Sequence, residues 1–428
     1  MCAAAWRATA AGVALTCVFG AGALAQTTTT RALPTRTSDA GRPTSDVVAK
    51  LNQALADGTR TIARDERTGY LSSVLEALKV SPESQLLVFS KTGVQRAYTG
   101  PRNPRALYFT SSVVVGYIPG APSLEVAAHD PGQGVVFYTL DQSAAEPRFV
   151  RQTRCLGCHV TPGTLGVPGM IARSHAVDAN GRILPALGIH TVNHRTPHTE
   201  RWGGWFVTST ALTPPPYTQM GHLGNITTVV APGSTSTIVS NAVLLDWLGS
   251  APETHGYLSA ASDIGSLLLF DHEMHAINLI TRLHREARLA ESGASAPASA
   301  EVLRGRVDEL ADYLLFVGEE PPAVPLSPRP GFAAHLRASV PADRRNRSLG
   351  QLDLDRRLMR YPCSVMIYTD AFAQLPSTVR DAVYRRMFEI LQWRDIQPKY
   401  ATLAPADRKA VMEILLDTAP HLPDDLRR

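Results

Sequence analysis

The chain has 428 residues, of which 44% are apolar and 19% charged, and its formal net charge is +4. A chain of this length and apolar content can bury one large hydrophobic core or two. The small, dispersed charge argues against a nucleic-acid partner, and no stretch beyond residue 25 is apolar for long enough to predict a membrane span.

The first 25 residues predict a secretory signal peptide. Arg7 precedes an apolar, small-residue stretch at 10–24, and Ala23-Leu24-Ala25 supplies an A-x-A cleavage site before Gln26. A leader of this kind directs export and is removed, so we expect a periplasmic mature protein. The alternative is a plain apolar N-terminal helix. The Thr-, Arg- and Pro-rich residues 26–45 predict a disordered mature N-terminus.

Residues 46–260 predict a β-rich region after a short helical start. Apolar residues at helical spacing occur between residues 46 and 80. From residue 85 the chain carries short β-type runs, separated by Pro and Gly at hairpin-like intervals. These runs cover residues 86–89, 106–109, 113–117, 124–126, 135–138, 205–208 and 226–230.

Cys155-Leu156-Gly157-Cys158-His159 is the motif that indicates a cofactor. Covalent attachment of a c-type haem requires two thiols separated by two residues and followed by a histidine. Each thiolate adds to one haem vinyl group, and His159 ligates the iron from the proximal side. The alternatives are a thioredoxin-like redox pair and half of a zinc site. The strand-then-helix context of the first is missing and no second CxxC completes the other. The sequence therefore predicts one covalent haem c.

The other cysteines do not predict a disulfide. Of the 5 cysteines, Cys2 and Cys17 lie in the predicted leader, so Cys363 is left without an intramolecular partner once haem has taken two. An exported chain of this size must then be held together by its core. The apolar surroundings of Cys363 predict a buried small hydrophobe, and a reactive thiol is the alternative.

Several residues are chemically able to be the distal iron ligand. Six of the 13 histidines fall between His159 and His222, and Met170 is a further candidate. Met170 lies only eleven residues after His159, so its return loop would have to cross tightly from one haem face to the other. We favour His222, narrowly ahead of His194. A vacant or water-filled sixth position is the alternative.

The residues around the two favoured histidines decide their order. His222 lies between Gly221 and Gly224, where the backbone can approach a flat cofactor without a Cβ clash. His194 adjoins Arg195, whose positive charge is better suited to a haem propionate.

Arg201-Trp202-Gly203-Gly204-Trp205 admits two interpretations. The Gly pair can form a bulge in a kinked strand whose two Trp rings pack on the core. Alternatively, a ring or Arg201 lies against the haem or its propionates, to which Arg donates charge-assisted hydrogen bonds.

His272 and His275 lie three residues apart on one predicted helix. They could ligate a second metal together with Glu273. Because Glu273 points off their stripe, we predict instead a buried pair hydrogen-bonded to the sheet.

Residues 261–428 predict a helical region packed on the sheet. Ser262 is the predicted cap of a helix that runs toward Ala290, followed by a loop at 291–300 and a helix at 301–317. Ser377 is the predicted cap of a later helix, and the last helix covers 405–417. Strands first and helices later predict an α+β fold whose N-terminal, mostly antiparallel β region carries the haem motif.

Several motifs spread over most of the mature chain resemble one family, the exported bacterial single-haem cytochrome c domain proteins. They are CLGCH at 155–159, GVPG at 166–169, HR at 194–195, ERWGGW at 200–205, HLGN at 222–225, PRALYF at 104–109, FYTL at 137–140 and RLMRYPCS at 357–364. The resemblance implies haem c and one integrated unit. The family pattern has Leu or His after Val-Pro-Gly, so Met170 departs from it.

These observations predict a periplasmic monohaem c-type cytochrome that transfers single electrons. A haem c enzyme, peroxidase- or oxygenase-like with an open distal iron site, is one alternative, and a haem-based sensor subunit is another. The expected partner is a redox protein or a small-molecule substrate. The chain is larger than one haem requires, which implies a larger pocket, a partner surface or a catalytic domain.

Overall fold

The structure is a computed structural model. It describes residues 42–178, 180–208, 256–259, 261–293, 300–322, 325–326, 328 and 330–428. The predicted signal peptide, residues 26–41, the predicted strand at 226–230 and His222 lie outside the described residues.

The N-terminal half of the described chain builds antiparallel β-structure. Its strands are β1 (Leu86–Val88), β2 (Arg105–Thr110), β3 (Val113–Tyr117), β4 (Ser123–Asp130), β5 (Gly134–Asp141), β6 (Phe149–Arg151), β7 (Ala172–His175), β8 (Ile189–Val192) and β9 (Trp205–Phe206). Seven of them form one sheet in the order β6-β5-β4-β3-β2-β1-β9, and β7 pairs with β8 in a second. Every one of these pairs is antiparallel.

The described chain also contains α-helices, most of them in its C-terminal half. They are α1 (Val47–Ala56), α2 (Leu71–Ala77), α3 (Leu156–His159), α4 (Ile264–Ser292), α5 (Ala300–Leu314), α6 (Pro330–Ser339), α7 (Asp370–Ala373), α8 (Ser377–Leu391) and α9 (Pro405–Thr418). The order of strands and helices confirms the predicted α+β class, with an antiparallel sheet in the N-terminal half and helices in the C-terminal half. Within the described residues, no helix is both long and apolar enough to span a membrane.

The two faces of the large sheet bury different sets of side chains, because successive residues of a strand point to opposite sides. One face, with Tyr108 and Val115, shares a core with α1 and α2. The other face, with Phe109 and Val114, shares a core with the C-terminal helices, and the Phe109 ring lies 5.1 Å from that of Phe270 on α4. We call this second side the α4 face.

Two predicted helix caps are wrong. The cap of α4 is Asp263, whose carboxylate accepts a hydrogen bond from the Ser266 amide at 3.1 Å, while the Ser262 hydroxyl accepts from the Leu87 amide at 3.0 Å. Ser377 is already the first residue of α8 and Pro376 is the cap, so no side chain caps that helix. A serine inside the first turn cannot reach back to the amides that a cap residue satisfies.

Candidate functional site

The CxxCH motif forms a single helical turn just after the edge strand β6. Cys155 is the N-cap residue of α3, and the amide of His159 donates to the Cys155 carbonyl at 3.1 Å. Both cysteines are free thiols; Cys155 is half-buried and Cys158 is exposed. One turn therefore presents both thiols and the imidazole together.

The His159 ring is held by a backbone carbonyl. Its Nδ1 lies 2.9 Å from the carbonyl oxygen of Gly169, and its centroid lies 4.5 Å from that of the Phe137 ring. Because a carbonyl can only accept, Nδ1 carries the proton and donates it. The free lone pair is therefore on Nε2. This is the arrangement in which a ligating histidine is normally oriented.

The segment behind His159 is fixed by α4. The side chain of Asn278 accepts from the Met170 amide at 2.9 Å and donates to the Met170 carbonyl at 2.7 Å. A Cβ on Gly169 would lie 2.2 Å from the Asn278 side-chain oxygen, so this close approach requires glycine. The long helix thus positions the carbonyl that orients His159.

All three motif residues line a cavity of about 430 Å³ on the α4 face of the sheet. This volume falls within the range of small-molecule and cofactor pockets. Alternate residues of five neighbouring strands form its floor, as the strand period of two requires. They are Val88, Arg105, Leu107, Val114, Gly116, Glu125, Ala127, Phe137 and Thr139.

One side of the cavity is built by β7 and the residues before it. Ile171, Arg173 and His175 all line the cavity, again at alternate positions. β8 holds this strand in place, with Arg173 paired to Thr191. Trp205 also lines the cavity, and its indole N–H donates to the Arg173 carbonyl at 2.8 Å.

The cavity wall carries more positive than negative charge. Of the described lining residues, four are arginines and one is an acid, Glu125; the arginines are Arg96, Arg105, Arg154 and Arg173. Arg105 Nε lies 4.0 Å from one Glu125 oxygen, and the other oxygen, Oε1, is buried without a hydrogen bond to the described residues. An apolar pocket with surplus arginines suits a flat apolar group that carries carboxylates, since arginine binds carboxylates in bidentate fashion.

His175 is a site residue that the sequence analysis did not single out. It is 5% exposed, and its Nδ1 is buried with no hydrogen-bond partner in the described chain. Burial, followed by the charge of Arg173, lowers the pKa of His175 to about 4, so the imidazole is neutral at physiological pH. Residues 171–175 read Ile-Ala-Arg-Ser-His and show no apolar–polar alternation, so the local sequence carries no clear signal for this strand.

The predicted distal ligands do not lie together in the structure. Met170 lines the cavity, whereas His194 lies in a separate buried cluster and is not a described lining residue. His222 lies outside the described residues. The position of His194 therefore does not favour it as an iron ligand.

His194, His272 and His275, together with Tyr313, form what we call the histidine cluster. His194 Nδ1 lies 2.7 Å from His272 Nδ1, and His272 Nε2 lies 2.6 Å from the Ser364 hydroxyl. The Tyr313 ring stacks on His194 and His272 at centroid distances of 4.1 and 4.9 Å. Burial lowers the pKa of His272 to about 3 and that of His275 to about 4.

One prediction about this helix needs correction. Glu273 accepts from Ser111 at 2.7 Å, whereas His272 bonds His194 and Ser364, so the histidine does not hydrogen-bond to the sheet as predicted. The residues diverge because α4 turns neighbouring positions about 100° apart. No group of three or more His, Cys, Asp or Glu in the described chain could hold a metal ion.

The Arg201–Trp205 segment divides between core and cavity. Arg201 is 1% exposed; it donates to the His194 carbonyl at 2.8 Å and lies 3.8 Å from Asp271. The Trp202 indole donates to Asp271 at 2.9 Å. Trp205 alone of the five lines the cavity. Arg201 therefore serves a buried ion pair, and its predicted role beside the haem or its propionates finds no support.

Cys363 is fully buried in the helical core, as predicted for a small hydrophobe. Burial raises the pKa of its thiol far above the usual value, so the thiol stays protonated and unreactive.

No protein-family model, no curated protein and no solved structure matches this chain. The cavity and its contacts are therefore the basis for the function proposed below.

Proposed function

We propose that the protein is an exported c-type cytochrome that binds one haem covalently through Cys155 and Cys158 and transfers single electrons. His159 is the proximal ligand. One observation supports this proposal most strongly. Both thiols and the imidazole line the same 430 Å³ cavity, while the His159 Nδ1 donates its proton to the Gly169 carbonyl. An electron-carrier protein then serves as its partner.

The bound group would supply a one-electron iron couple, and the protein residues would set its environment. The Gly169 carbonyl raises the basicity of His159 by accepting from Nδ1. Phe137 and Phe270 exclude water from the cavity wall, and Arg105 and Arg173 neutralise carboxylates. Each of these residues would shift the reduction potential of the iron through burial or charge.

A haem c oxidoreductase with an open iron position is the second candidate function, and Glu125 favours it. Its buried Oε1 faces no hydrogen-bond donor among the described residues. A carboxylate within a substrate-sized pocket can act as a general acid or base. A high-spin ferric spectrum of the purified protein would support this candidate over electron transfer.

The first prediction tests covalent attachment. The full chain, expressed with a c-type haem maturation system, should keep its haem through denaturing electrophoresis, because thioether bonds do not dissociate. Cys158→Ala should lose most of this haem and Cys155→Ala with Cys158→Ala should lose all of it. Intact mass should also give one haem per chain and a mature N-terminus near Gln26.

Cys363→Ala is the matched control, because it removes a cysteine that is buried away from the cavity. It should retain full haem content. Haem that can be extracted from the wild type by acid and acetone would overturn the proposal, and an intact Met1 on loaded protein would overturn export.

A further inference from the structure

The cavity contains a second imidazole, in addition to His159. Among the described lining residues, His159 and His175 are the histidines. The His175 side chain is almost fully buried, yet its Nδ1 has no partner in the described chain. A buried polar atom without a partner is costly unless a ligand satisfies the group.

The backbone of His175 is anchored on both sides. Its amide donates to the Gly203 carbonyl at 2.9 Å, and the next residue back, Ser174, accepts from the Gly203 amide at 2.9 Å. Across the small sheet His175 pairs with Ile189. A ring carried on so fixed a backbone is preorganised, as a ligating residue must be.

The chain between the two histidines is long enough to place them on opposite faces of a flat cofactor. Gly169 lies behind the His159 ring, because its carbonyl accepts from Nδ1, on the side away from Nε2. From Gly169 the chain runs along the cavity wall through Ile171 and Arg173 to His175. Six extended residues span at most about 20 Å, enough to pass from behind one axial ligand to the opposite face of a flat group.

Met170 is excluded by the same geometry. Its backbone directly follows the carbonyl that holds the proximal ring, and Asn278 fixes it there from both sides. Its side chain therefore starts on the proximal side. Met274 also lines the cavity and is the rival described ligand, since a thioether can ligate haem iron.

We infer that His175 is the sixth ligand of the iron, opposite His159. This inference rests on the proposed covalent haem. It adds that the iron is six-coordinate and low-spin in the resting protein, which suits electron transfer and closes the position that a substrate would need.

The test compares ferric spectra and cyanide binding of haem-loaded variants. The wild type should be low-spin and bind cyanide slowly. His175→Ala should become high-spin and bind cyanide at least tenfold faster, because the iron loses a neutral nitrogen ligand. Added imidazole should restore the low-spin spectrum of His175→Ala, which a merely structural loss would not allow.

His190→Ala is the matched control. His190 pairs with Ser174 on the neighbouring strand, and directly paired residues share a face, so it points away from the cavity. It should keep the wild-type spectrum. A low-spin His175→Ala, a high-spin wild type, or a spin change in Met274→Leu alone would each overturn the inference while covalent haem remained. Absence of covalent haem would instead overturn the proposed function.

Discussion

The cavity and the histidine cluster both contain imidazole rings, but the rings have different roles in the two places. In the cavity, His159 donates from one nitrogen to a carbonyl and its other nitrogen is left for a ligand. In the cluster, His194 and His272 bond each other and are covered by the Tyr313 ring. The first arrangement leaves room for a cofactor, and the second fills its space with aromatic side chains.

This difference shows that a histidine-rich sequence segment does not by itself identify iron ligands. His194 and His175 lie nineteen residues apart and are almost equally buried. What separates them is the empty volume in front of the ring. Burial with packed neighbours contributes to stability, whereas burial beside a cavity indicates binding.

The largest effect on stability should come from Arg201→Met. It removes the charged partner of Asp271 and leaves the carbonyls of Thr196 and His194 without their buried donors. Breaking a buried ion pair from one side costs about 3–5 kcal/mol. Urea unfolding of the haem-loaded protein measures this loss.

Arg201→Met should leave the haem spectrum unchanged. Arg201 is not a described lining residue of the cavity, so the haem spectrum should stay that of the wild type. Arg195→Met is the control: Arg195 is exposed, donates to the Val317 carbonyl at 2.9 Å and lies over the Tyr313 ring at 5.1 Å, and its loss should cost about 1–2 kcal/mol. A stable Arg201→Met with an altered spectrum would place Arg201 beside the haem after all.

The histidine cluster should also make the protein sensitive to acid. Burial lowers the pKa of His275 to about 4 and that of His272 to about 3, whereas an unfolded histidine titrates near 6.5. Below pH 6.5 the unfolded chain therefore binds protons that the folded chain does not. The free energy of unfolding should fall by about 1.4 kcal/mol per pH unit for each such histidine, down to about pH 4.

His275→Gln tests the contribution of one cluster member. The Nδ1 of His275 has no hydrogen-bond partner among the described residues, so the substitution breaks no bond at that atom. Urea titrations at several values between pH 4 and pH 7.5 should give a shallower pH dependence than the wild type, by about one proton. Parallel curves for the two proteins would show that His275 binds its proton equally well in the folded and unfolded states, which would contradict the lowered pKa.

The sequence was enough to predict most strands of the large sheet, because their pattern is local, but it did not predict β6, β7 or β8. All five β-type runs between residues 86 and 138 are strands, and apolar spacing predicted α8 and α9 within a few residues. Helix starts were less predictable where two capping residues adjoin: Ser262 and Asp263 are both suitable caps, and only the contact of Ser262 with β1 decides between them.

The site could be predicted only in part, for a related reason. The CxxCH motif is local, so its residues and their roles follow from spacing. His175 becomes a candidate only because the fold brings β7 along the cavity, and that placement depends on contacts with Gly203 and with β8. Spacing along the chain favoured His222 and His194 instead, because spacing contains no information about which rings face a cavity.

The smallest effect on stability, and the sharpest test of the cavity, is expected at Gly116. This residue lines the cavity floor, and a Cβ there would lie 3.5 Å from Leu107 and Glu125, an ordinary contact. Gly116→Ala should therefore be neutral. Gly116→Leu should extend a side chain into the space that we assign to haem.

The Leu variant should act differently with and without the cofactor. In haem-loaded protein it should lower the midpoint of thermal unfolding and disturb the low-spin spectrum, because two groups compete for one volume. In the background of Cys155→Ala with Cys158→Ala, the same side chain fills a void, so the free energy of unfolding should stay within about 1 kcal/mol or rise. Equal effects in both backgrounds would show that haem does not occupy the space above Gly116. The CxxCH motif would then not hold its haem in this cavity.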